Sequence, residues 1–184
     1  MNGLVLRIAV AIAGAILVSC GGGDPRPRLL HEIAIEEVMP TITMVASGII
    51  LPARAVLPYM MAQGAGAIIC LASDAAKIAT PGETVIGAAM AAIVMFCRGM
   101  AYEAKRSGVR VNCLTPSIVR GTPLYGRLME DGFSRRLFAK AETMASLGVV
   151  QPEDLAAMAV FLAGPEGAKI TGQTISITGG ISAI

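Results

Sequence analysis

Apolar residues in this chain fall into two kinds of run. Short continuous runs, AGAILV at 13–18 and the apolar part of GAGAIICLAS at 64–73, lead into glycine or serine and predict buried strands, and Val109–Leu114, closed by Pro116, is another predicted strand. Longer stretches carry apolar residues at helical intervals. In 48–63 (GIILPARAVLPYMMAQ), Pro52 and Pro58 predict that a helix starts or bends there. Residues 24–41 are polar at first and then loosely helical, behind a breaker cluster of Asp24, Pro25 and Pro27. The longest predicted helix is 84–106, apolar over most of its circumference with charges only near its end (Arg98, Glu103, Lys105, Arg106), so it is buried on more than one side. A helix broken at Gly132 is predicted over 127–144, another over 151–164 behind an N-cap-like Gln-Pro-Glu-Asp, and a last strand in 171–180. Strand and helix alternate, which argues for one α/β domain across 1–184, a parallel sheet with helices on both faces.

Composition sharpens this picture. Hydrophobic residues are 54% of the 184 and charged ones 15%, more apolar than a soluble monomer needs to fill its interior, and the surplus predicts contacts between chains. Lys+Arg 15 against Asp+Glu 13 leaves +2 with no basic run, which sets nucleic acid aside. Cys20, Cys70, Cys97 and Cys113 are far apart, and three of them stand in apolar runs where a thiol behaves as a small buried hydrophobe. With no CxxC spacing and His31 as the only histidine, no metal site is expected, and a reducing, cytoplasmic setting is. The start, MNGLVLRIAVAIAGAILVSC, complicates that. Its Leu-Val-Ser-Cys at 17–20 fits the box before a lipid-modified cysteine, while the apolar run is too short to span a bilayer as a helix. The contest is between an export signal and a piece of the fold.

Candidate chemistry is sparse. Ser73, Asp74 and Lys77 follow a predicted strand end, where open α/β sheets place their sites, but no partner base is legible for a non-redox reaction at Ser73. His31 reads most simply as a surface residue, with a general base as the alternative. Methionines at 60, 61, 90, 95 and 100 are packing residues before they are a flexible binding surface.

Three segments, RAVLPYMMAQGAGAIICLASDAAK, GVRVNCLTPSIVRGTP and QPEDLAAMAVFLAG with ITGQTISITGG, resemble the short-chain dehydrogenase/reductase family over roughly residues 45–181. Their wording is most similar to members that oxidise hydroxyacyl-CoA thioesters in the breakdown of ring compounds. The resemblance implies a Rossmann-like sheet and NAD chemistry, and it also marks what is missing. The family's Thr-Gly-x-x-x-Gly-x-Gly turn, which brings cofactor pyrophosphate to a helix N-terminus, has no counterpart here, and Gly21–Gly23 aligns with the later Asn-Asn-Ala-Gly segment instead. On that alignment the chain begins at the family's fourth strand. The expected fold is therefore a partial one, without the first three strands and the dinucleotide-binding half. The apolar run at 13–18 becomes a strand and the lipid box at Cys20 a coincidence.

The family's catalytic asparagine, serine, tyrosine and lysine fall on Val45, Ser73, Ile86 and Met90. A tyrosine acting as acid or base toward an alcohol needs a neighbouring ammonium, and neither Ile86 nor Met90 supplies either group. No Tyr-x-x-x-Lys stands elsewhere, since Tyr59, Tyr102 and Tyr125 are followed four residues on by Gln63, Arg106 and Met129. Tyr102 with Arg106 reads as a helix-end surface pair. Ser117 replaces a glycine that lets nicotinamide approach, while Arg120 and Thr122 match the loop over cofactor and substrate, where Arg120 is free to pair with a partner. The resemblance thus implies a catalytically inactive homologue that holds no cofactor itself. Its expected partner is an intact catalytic homologue carrying NAD, in a heterotetramer assembled through the helices at 48–63 and 84–106 and the last helix and strand. Losing three strands would also leave a central strand as an open edge that invites association.

Overall fold

The computed structural model describes residues 8–11, 15–18 and 26–183. The three short apolar runs are strands: β2 (Ala15–Val18), β3 (Gly66–Leu71) and β4 (Val109–Pro116), joined by β5 (Thr174–Ile177). These four are parallel neighbours in that order. A further strand, β1 (Ile8–Ala11), pairs antiparallel with β2, Ile8 opposite Val18 and Ala11 opposite Ala15. This corrects the expected open edge at 13–18, because β1 occupies it.

Alternation along the strands feeds two cores. Ile68 and Cys70 of β3 and Val109, Val111 and Cys113 of β4 face a layer made by α1 (Ile35–Gln63) and α2 (Thr84–Ala104). Ile69 and Leu114 face the opposite side, where α5 (Pro152–Ala163) brings Ala159 and Leu162. Burying side chains such as Ile49, Ile68 and Ile93 completely contributes on the order of 1.5–3 kcal/mol each. The free thiols of Cys70, Cys97 and Cys113 are buried in the first core, as small hydrophobes. Helices on both faces of a parallel sheet are as the alternation predicted.

The helix boundaries differ in two places: the helix expected over 48–63 begins at Ile35, and the one expected from 127 begins at Pro123. Pro52 and Pro58 neither start nor end a helix, because α1 runs unbroken for 29 residues through Pro40, Pro52 and Pro58. Each proline forfeits one ladder bond. Pro40 and Pro58 stand on exposed positions, while Val45, Ile49, Ala53 and Met60 bury the opposite side and hold the helix to the sheet. Gly64 then closes it in the left-handed conformation, φ 74°. The break near 132 is at Asp131, whose carboxylate accepts from Ser134 N at 2.7 Å between α3 (Pro123–Glu130) and α4 (Gly132–Met144). The Gln-Pro-Glu-Asp signal is a capping box in which Gln151 and Asp154 satisfy each other's end of α5.

Two polar residues of the VRVN strand explain its join to β5. Buried Asn112 donates to Ile170 O and accepts from Gln173 N, both at 3.0 Å, fixing the loop before β5. Arg110 reaches the other way, to the Leu162 and Ala163 carbonyls at the C-terminal end of α5 and to Gly167 O in the 3-10 turn that follows it.

Candidate functional site

The C-terminal end of β3 carries the densest polar chemistry among the described residues. Ser73 stands in extended conformation before a 3-10 turn, Asp74–Ala76, and its Oγ accepts from Ala75 N at 3.2 Å. That hydroxyl caps the turn. Asp74 is buried, 6% exposed, and Lys77 Nζ lies 4.0 Å from its Oδ1. Lys77 donates to Ser176 Oγ on β5, and Ser182 Oγ donates to Asp74 Oδ2 at 2.5 Å. The structure therefore gathers Asp74 and Lys77 as expected but directs both away from Ser73.

Glu83, just before α2, completes the cluster. Burial pushes its carboxyl from 4.5 up to about 7; a hydrogen bond with Thr80 opposes this and the charge of Asp74 adds to it. Glu83, Ser176 and Ser182 escape a reading of the sequence. The contacts of the two serines span 99 and 108 residues, and no local pattern announces them.

Of the four positions expected to match the family's catalytic residues, three lie apart from this turn. Val45 on α1 is 1% exposed and Ile86 on α2 is 9% exposed. Val45 lies in the core between the helices and the sheet, and half-buried Met90 packs against that core. Only Ser73 of the four brings a hydrogen-bonding side chain. At Gly87 a Cβ would lie 2.8 Å from Ala75 O, so α2 rests directly on the 3-10 turn. The N-terminus of α4 closes over the same region: a Cβ at Gly82 would stand 2.5 Å from the Phe133 ring and 3.4 Å from Pro27, and Arg28 N donates to Gly82 O at 2.9 Å.

The loop after β4 is held from within. Val119 bridges to Val150, Arg120 N donates to Val150 O, and the Arg120 guanidinium pairs with Glu142 at 3.1 Å rather than standing free for a partner. Thr122 caps α3 by accepting from Tyr125 N at 3.1 Å. His31 is exposed on a 3-10 turn before α1. Tyr102 and Arg106 are both exposed, as expected of a helix-end pair, although the cation over the Tyr102 ring is Lys105 Nζ, 3.9 Å from its centroid. Cys20 and Gly21–Gly23 lie outside the described residues.

The outer side of the helix layer is apolar. Leu51 and Tyr59 on α1 are 65% and 77% exposed, and Met95 on α2 is 63% exposed. Ala88, Ala91, Ala92 and Gly99 add small exposed positions on α2. Both helices have the length and composition of a membrane span, but each packs one side on the sheet through residues such as Ile49 and Ile93.

A parallel sheet with helices on both faces and its polar cluster at the strand C-termini defines a Rossmann-like α/β protein. Comparison with known proteins makes this specific. The structure superposes on a gluconate 5-dehydrogenase from Burkholderia cenocepacia, solved with NADP and tartrate, with TM-score 0.78 and 26% identity, over 91% of this chain and 65% of that one. A family model described as enoyl-(acyl carrier protein) reductase matches residues 13–182. The short-chain reductase protein NovJ of Streptomyces niveus is 34% identical over 90% of this chain and 63% of its own length. The (2S)-[(R)-hydroxy(phenyl)methyl]succinyl-CoA dehydrogenase subunit BbsD of Thauera aromatica is 28% identical over 99% of this chain and 71% of its own. The chain belongs to the short-chain dehydrogenase/reductase family, and it spans about two thirds of the length of these relatives.

Proposed function

We propose that this chain is a non-catalytic subunit of an NAD-dependent short-chain alcohol dehydrogenase, assembled in the cytoplasm with an intact homologue that carries the cofactor and the tyrosine and lysine. The observation that carries this reading is the state of positions 86 and 90. Ile86 and Met90 occupy the places where the family's acid–base pair is expected; Ile86 is buried and Met90 packs against the apolar core, and neither presents a titratable group. Ser73 is committed to its own turn, which removes support from a non-redox enzyme built on it.

A subunit kept for assembly needs a surface for it, and the exposed apolar side of α1 and α2 supplies one. The likeness to BbsD, itself named as a subunit acting on a succinyl-CoA thioester, supports a hydroxyacyl-CoA substrate for the complex. The proposed role is thus the inactive half of a two-subunit, heterotetrameric dehydrogenase in aromatic-compound breakdown, of the kind that serves toluene degradation. The test is co-expression with an intact homologue carrying Tyr-x-x-x-Lys. The expected result is a stable mixed tetramer that oxidises the thioester with NAD, while this chain alone neither binds NAD nor turns over alcohols. Micromolar NAD affinity of the chain alone would overturn the proposal.

A further inference from the structure

β1 covers the edge of β2 and in doing so becomes an edge itself. Among the described residues it is the outermost strand on that side, in the order β1-β2-β3-β4-β5. An antiparallel strand turns the N–H and C=O of every second residue toward each neighbour. With β2 on one side, two of the four residues of β1 therefore direct these groups outward, where no described strand meets them.

Soluble proteins guard such an edge with lysine, proline or an inward-pointing charge. β1 reads Ile-Ala-Val-Ala, and from Ile8 to Val18 the sequence holds no charged residue and no proline. Its shortness is the one restraint, and that weakens pairing without redirecting it. What satisfies such a strand is another strand, and the backbone pattern of an antiparallel edge is complementary to itself. Two copies related by a two-fold axis meet through the same four residues, with no like charges in the strands to oppose them. Pairing β1 with β5 of another copy is head-to-tail and leaves a free edge at each end, whereas β1 with β1 closes at two copies.

We propose that β1 is a self-association edge, which pairs antiparallel with β1 of a second copy to make one continuous sheet of ten strands, five from each copy. This edge is separate from the outer side of α1 and α2, so the pairing does not rest on the assembly proposed above.

The species to weigh is the full chain carrying Leu51→Glu, which spoils the α1 and α2 surface and leaves β1 untouched. Its mass by light scattering is expected to climb from 18.9 kDa toward twice that as concentration rises from about 1 µM to about 200 µM. Adding Val10→Lys, or Ile8→Lys as a second variant, brings like charges together across the axis. Each is expected to hold the mass at the monomer value with the circular dichroism of the fold unchanged. Cross-linking supplies the positive readout. With Cys20→Ser to remove the nearest thiol in sequence, the Ala9→Cys thiols of two paired copies fall within roughly 10 Å, and a short bismaleimide should join them. A monomeric mass over the whole range, dimers that survive both lysine variants, or dimers that the bismaleimide fails to join would each overturn the proposal. Failure of a mixed tetramer to form with an intact homologue counts against the assembly alone and leaves these outcomes as they are.

Discussion

Replacing Arg110 by methionine isolates one contact that ties the sheet to its outer helix. Arg110 leaves β4 toward α5 and donates to Leu162 O, to Ala163 O at 3.1 Å and to Gly167 O at 3.0 Å. The last carbonyls of a helix have no partner inside it, so one guanidinium here does the work of a C-cap. Burial lowers its pKa, but an arginine stays charged, and hydrogen bonds from a charged donor contribute about 1.5–3 kcal/mol each. The three share one half-buried group and do not add, so the expected loss is about 2–4 kcal/mol, with methionine keeping the packing of the stem. In urea the midpoint should fall at unchanged slope, and Tm should drop by roughly 5–15 °C for a domain of this size. Arg110→Lys keeps the charge but loses the planar fork, and should recover less than half. Full stability of the lysine variant, or a methionine variant within about 0.5 kcal/mol of wild type, would refute the capping role.

Restoring the family's pair, Ile86→Tyr with Met90→Lys, should destabilise the chain by about 1–3 kcal/mol in chemical denaturation, because polar groups enter a packed apolar layer, and should yield no NAD reduction by the chain alone. Gly108→Ala should lose about 3 kcal/mol by thermal melting, since φ is 69° and the new Cβ would stand 2.2 Å from Gly64 O. Leu51→Glu, at a position 65% exposed, should change stability by less than about 0.5 kcal/mol yet abolish recovery of the mixed tetramer in a pull-down from co-expressing cells.

The parts of the fold legible in the sequence are those where one local rule decides. The continuous apolar run at 66–71 is β3 because both of its faces are covered, the strand at 109–114 lies in β4, and the Gln151–Asp154 signal marks α5 because a capping box needs only neighbours. Helix α1 was harder. Pro52 and Pro58 are breakers by local rules, yet a buried stripe from Val45 to Met60 outweighs the bonds they forfeit. β1 is four residues long, and its role is set by the free edge of β2, which no local pattern reports.

The site divides along the same line. That positions 86 and 90 carry no acid or base could be read from residue types alone, and the structure adds that Ile86 is buried and that Met90 packs against the core. The role of Ser73 could not be read, because a hydroxyl at a strand end suits a substrate or a turn equally, and only the contact with Ala75 N decides. Asp74 and Lys77 were visible as candidates, but their partners sit on β5 and in the segment beyond it. This explains why a chain without the family's acid–base pair still keeps a buried charged cluster at the place where open sheets put chemistry. Two backbone segments meet there, at 71–77 and 176–182, and each satisfies polar groups of the other. An apolar substitution at Asp74 would strand Ser182 and Lys77 together, so the cluster at the end of β3 is held by the fold: each of its polar groups is a partner that another one needs.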